Sequence, residues 1–101
     1  MTHALRTADD WKQARGELQG RLSEWDPIDL LSAGAPPDEY DALVSSLMQR
    51  LDAGASGEEL AGWLGAELGR RYGHAPPVHE TDVFCRRTAK WFHARWPAEP
   101  G

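Results

Sequence analysis

Asp26, Asp38, Glu39 and Asp41 are four carboxylates placed close together in the first half of this sequence. Carboxylates at this density can do general acid–base work or bind a hard cation through oxygen. They show no EF-hand spacing, and Asp38 and Asp41 have an architectural use at the start of a helix. His74, His79, Cys85 and His93 form a second set, with side chains of the types that ligate zinc. Their spacing has neither C-x-x-C nor H-x-x-x-H, so no zinc site is assigned. Cys85 fits a buried small hydrophobe better than a nucleophile, which needs an electropositive, partly open setting. A glycine-rich phosphate loop, a G-x-S-x-G elbow and an H-E-x-x-H pair are all missing from the sequence. The expectation is a non-enzymatic protein with no cofactor, no metal and no catalytic residue.

The chain that positions these residues is 101 residues long, the size of one small domain. Five Trp, two Phe and two Tyr supply large units for burial. With one cysteine, no intramolecular disulfide can form. The start lacks the apolar run of a signal peptide. No stretch approaches the roughly 18 apolar residues that span a bilayer. These features predict a cytoplasmic protein without a membrane partner.

The net charge is −5, and it is unevenly spread. Glu24 to Glu67 holds ten acidic residues and one basic residue, Arg50; Arg70 to Arg95 holds six basic and two acidic. An acidic centre repels phosphates, and the basic part is too small to indicate a nucleic-acid partner. Two readings of the asymmetry stand: internal complementarity on a solvated surface, or an acidic face for a basic protein partner.

Four helices are expected, near 8–24, 38–53, 57–72 and 80–96, and no strand signal is found. Thr7 with Asp10 makes a capping-box variant, and Trp11, Ala14, Leu18, Leu22 and Trp25 form a narrow stripe. Pro27 ends this helix. Ile28, Leu30 and Leu31 form a candidate docked turn, broken by Gly34, Pro36 and Pro37. Asp38 is the expected N-cap of the second helix, whose apolar face runs from Tyr40 through Leu43, Val44, Leu47 and Met48 to Leu51. Ser45, Gln49 and Asp52 fall opposite. Ser56-Gly57-Glu58-Glu59 is a capping box for the third helix, and Gly73 its stop. Gly62, Gly65 and Gly69 mark either a close helix approach or simple composition. Glu67 and Arg71 are spaced to pair. The fourth helix has a stripe of Phe84, Cys85, Ala89, Phe92 and Trp96 and a basic face of Arg86, Lys90 and His93. Trp91 and Trp96 could form an apolar patch for a homo-oligomer. The class is all-α: a compact, irregular four-helix bundle in one domain, 1–101.

Trp25-Asp26-Pro27-Ile28, followed eight residues later by Pro37-Asp38-Glu39-Tyr40-Asp41, resembles the WDPI…P-x-DEYD signature of the YugE-like family of small bacterial proteins. Leu51-Asp52-Ala53-Gly54-Ala55-Ser56 is similar to that family's next helix junction. The likeness covers roughly 18–73 and leaves 74–101 as a C-terminal helical extension. It departs from the family at Asp29, usually Gly, and at Ala42-Leu43, where an aromatic is often found. The resemblance implies an all-α fold and carries no activity.

The functional expectation is a small interaction module that presents an acidic surface around the 25–41 connector. Its candidate partner-binding residues are Asp26, Asp29, Asp38, Glu39 and Asp41. An immunity- or antitoxin-like inhibitor is one concrete form, with an unidentified, basic protein as partner. The alternative is a metal- or small-ligand-binding enzyme built on Asp26, Asp38, Glu39 and Asp41.

Overall fold

Two of the four helices begin at capping boxes, and one of these ends at a left-handed glycine. The computed structural model describes residues 4–27, 29, 33–36 and 39–97. These form α1 (Ala8–Trp25), α2 (Asp41–Asp52), α3 (Gly57–Tyr72) and α4 (Val78–Arg95), with no strand among the described residues. Thr7 accepts from the Asp10 N–H while the Asp10 carboxylate accepts from the Thr7 N–H, so both halves of the capping box are made. Ser56 and Glu59 do the same for α3. Gly73 ends α3 at φ 79°, the left-handed turn that glycine adopts without strain.

Two boundaries differ from expectation. The second helix starts at Asp41 rather than near Asp38, with Tyr40 as N-cap and no side-chain cap; Asp38 itself lies outside the described residues, as do Ile28, Leu30 and Leu31. The fourth starts two residues early, at Val78, directly after Pro77, whose fixed φ suits a helix entrance.

The core is assembled from the expected stripes. Leu18 and Leu22 of α1 meet Leu43, Leu47 and Leu51 of α2, with Leu60, Leu64 and Leu68 of α3 and Cys85 and Phe92 of α4 completing it. The Cα radius of gyration, 13.4 Å, is close to the roughly 13 Å of a folded chain this long. α3 lies closest to α4, and α1 rests on α2. Where α3 enters, a Cβ on Gly57 would sit 2.7 Å from the Arg86 Cα, so this glycine is required by the neighbouring backbone. Gly62, Gly65 and Gly69 have nothing within 4 Å of a Cβ; the close approach considered for them occurs at Gly57 instead.

α1 and α4 meet through their side chains. Trp25 stacks on Phe84 at 4.4 Å, the Arg21 guanidinium lies 4.5 Å above the Trp91 ring, and Arg95 donates to Gln13 at 3.0 Å. The residue pairs 13–95, 21–91 and 25–84 show that the two helices run antiparallel. Trp11 does not join the stripe: it is 36% exposed. Trp96 is buried against Phe92, and Trp91 is half-buried beneath Arg21, so the apolar patch expected of these two tryptophans is folded into the chain's own core.

Asp52 also departs from expectation. Instead of facing water it is buried, where it accepts the Leu5 N–H at 2.8 Å. Ala4 and Leu5 are thereby strapped over the end of α2.

Candidate functional site

The connector between α1 and α2 is closed by one side-chain bond. Asp26 follows α1 in the left-handed region, φ 48° and ψ 63°, and its N–H bonds back to the Leu22 carbonyl at 2.8 Å. Aspartate tolerates this conformation better than most non-glycine residues. Pro27 then prevents the helix from continuing. The Asp26 carbonyl accepts from the Asp29 N–H, the Asp29 carbonyl from Ala33, and the Pro36 carbonyl from Glu39. At the far end Tyr40 is 1% exposed and donates its hydroxyl to Asp26 Oδ1 at 2.6 Å. A phenol–carboxylate bond this short, out of water, is among the stronger neutral-to-charged pairings a side chain makes. The two ends of the 26–40 stretch are thus tied to each other, and the stretch has the length of compact surface segments that carry function.

Asp26 is therefore removed from the surface set: it is 8% exposed and engaged by Tyr40. Spacing could not reveal this, because the partner is 14 residues away. Asp29, Glu39 and Asp41 are exposed. Asp29 has a left-handed backbone, φ 57°. Asp41 sits in the first turn of α2, where the helix dipole favours negative charge. Glu39 lies near the end of α3: burial pushes the Tyr72 phenol up, and the Glu39 charge adds to the effect. Tyr72 meets the Tyr40 ring edge-on at 6.5 Å.

Several other described carboxylates are engaged by near neighbours in the chain. Asp10 and Glu59 serve in caps. Glu67 is gripped by Arg70 and Arg71, each at 2.7 Å, which holds its carboxyl below the usual range. Asp82 pairs with Arg86 at 2.9 Å. These bonds are all local, three or four residues apart. Of the acidic centre, Glu67 pairs with the basic C-terminal part, whereas among the described residues Asp29, Glu39 and Asp41 take part in no ion pair.

The second set of residues does not converge. Among the described residues no three His, Cys, Asp or Glu side chains are arranged to hold a metal ion. Cys85 is buried, and burial pushes its thiol up to about 12, far from a reactive thiolate. His93 does not belong to a free basic face, since its Nε2 lies 2.9 Å from the Ala55 carbonyl. A carbonyl only accepts, so Nε2 carries the proton. His74 and His79 are exposed near the start of α4. The metal-enzyme alternative thus loses Asp26 to Tyr40, and Asp38 lies outside the described residues.

Two clefts border the connector. One, of about 300 Å³, lies between Asp26, Pro27 and Asp29 on one side and 74–77 on the other. A larger groove of about 440 Å³ lies between α1 and α4, and the two share Trp25 and Glu80. Sequence reasoning did not find this groove. Its walls come from residues more than fifty positions apart, and Arg21 and Arg87 carry no local signature. No protein-family model, curated protein or solved structure matches this chain.

Proposed function

We propose that this protein is a non-enzymatic interaction module that presents the tied, acidic 26–41 loop to a basic protein partner. The observation that carries the reading is the grouping of three exposed carboxylates at a stretch whose ends are tied by one buried bond. Asp29, Glu39 and Asp41 are exposed, lie on or next to the stretch whose ends the Tyr40–Asp26 bond ties, and take part in no ion pair among the described residues. Unpaired charge on a loop with fixed ends gives a partner a field to follow and a shape to meet. An immunity- or antitoxin-like inhibitor is the concrete form that fits such a surface. The resemblance of this same stretch to the YugE-like signature places the module, in this reading, in the cytoplasm of a bacterium.

The test compares affinity capture from the native host by the wild type and by the triple variant Asp29→Asn, Glu39→Gln, Asp41→Asn. The wild type should retain a basic protein that is lost as salt rises from about 0.05 to about 0.5 M. The triple variant, melting at the same temperature, should retain at most about a tenth as much. Equal retention by the two proteins would rule out this surface.

A further inference from the structure

The groove between α1 and α4 brings an aromatic pair together with charged groups of both signs. Trp25 and Phe84 form a partly exposed stacked pair at its base. Arg21 and Glu24 of α1 and Glu80 and Arg87 of α4 stand around it. Two guanidiniums and two carboxylates thus border one volume of about 440 Å³, and none of the four is in an ion pair among the described residues. Arg21 is steadied by the Trp91 ring at 4.5 Å, which fixes its guanidinium without neutralising it. The Thr88 hydroxyl, in the wall of the same groove, is buried with no hydrogen-bond partner among the described residues.

We propose that this groove binds a small zwitterion with an aromatic body, an aromatic α-amino acid being the simplest member. Its carboxylate is taken by the guanidiniums of Arg21 and Arg87, which suit the planar two-oxygen group. Its ammonium is taken by Glu24 and Glu80, and its ring packs on Trp25 and Phe84. A simple anion meets two opposing carboxylates here, and a simple cation meets two opposing guanidiniums; only a ligand with both signs satisfies all four. The volume is at the lower end of small-molecule sites, which run from about 300 to 1,000 Å³. The proposal is independent of the acidic loop, none of whose exposed residues lines the groove.

Isothermal titration calorimetry on the full chain tests it with four probes: L-phenylalanine, 3-phenylpropionate without the ammonium, phenethylamine without the carboxylate, and L-alanine without the ring. L-Phenylalanine should bind with a dissociation constant of about 1 mM or tighter, and each comparator at least about tenfold more weakly. Arg87→Gln and Glu80→Gln change exposed side chains and leave the core intact. Each should weaken L-phenylalanine binding about fivefold or more, with an unchanged melting temperature. No heat from L-phenylalanine at about 10 mM overturns the proposal, as does equal binding of all three aromatic probes or indifference to both substitutions.

Discussion

Replacing Tyr40 with phenylalanine removes a single oxygen from the protein and unties the acidic loop. The ring stays, with its burial and its edge-on contact to Tyr72, so packing is conserved. What is lost is the 2.6 Å bond to Asp26 Oδ1, in a place where water does not readily replace it. A hydrogen bond to a charged group contributes about 1.5–3 kcal/mol, and a buried acceptor deprived of its donor sits in the upper part of that range. In a domain of this size about 2 kcal/mol corresponds to a melting temperature lower by about 8–16 °C. Urea unfolding followed by far-ultraviolet circular dichroism should show the midpoint falling with the slope unchanged, the mark of lost stability without a change of mechanism. Asp26→Asn keeps an acceptor and a side chain at ease in the left-handed region, so its loss should be the smaller one. Asp26→Ala forfeits both and should lose the most. Because Tyr40→Phe alters no exposed charge, any weakening of partner capture by it reports the loop's shape alone. A loss of less than about 0.5 kcal/mol in Tyr40→Phe would refute the idea that this bond ties the loop.

Three further outcomes are expected. Gly57→Ala should destabilise by about 1–3 kcal/mol because its Cβ meets the Arg86 backbone, whereas Gly62→Ala, in open space, should stabilise by about 0.5–1 kcal/mol; thermal melts of the pair check the opposite signs. Asp52→Ala should lower stability by about 1–3 kcal/mol by leaving the buried Leu5 N–H without its carboxylate, and limited proteolysis should then cleave near residue 5 sooner. The Cys85 thiol, raised from 9.0 to about 12, stays protonated in the folded protein when the unfolded chain has already released its proton. The unfolded state then binds fewer protons, so stability should fall as pH rises from about 9 toward 12. Alkylation of the native thiol at pH about 8 should be far slower than in urea.

What could be read from the sequence was what is local. The capping boxes at Thr7 and Ser56, the glycine stop at residue 73 and the Glu67–Arg71 pair each need only three or four residues, and all are present. The apolar stripes placed Leu18, Leu47, Leu64 and Phe92 in the core because periodicity records a helix's buried face. Asp26 and Asp52 were misplaced because a carboxylate's burial is decided by its partner, and those partners are 14 and 47 residues distant. The start of α2 moved for a similar reason. Capping chemistry favours Asp38, but α2 begins at Asp41, one residue after the Tyr40 that is bonded to the distant Asp26. Gly57 was read as one letter of a capping box, when it is also the point where a second backbone comes within contact. The α1–α4 groove was invisible because it exists only once both ends of the chain have met.

That meeting has a consequence for how the protein is made. The first helix leans on the last: Trp25 covers Phe84, and Gln13 receives Arg95. On a ribosome, which delivers the N-terminus first at about 5–20 residues per second, α1 and its tryptophan are complete several seconds before α4 exists. During that interval α1 has α2 to rest on, and the Phe84 ring on which Trp25 stacks is not yet made. The newborn chain therefore passes through a stage with an uncovered aromatic surface, at which a chaperone or an intermolecular contact competes with α4 for the same site. Slowing translation after residue 72 should lengthen that stage and lower soluble yield, even though the finished protein is unchanged.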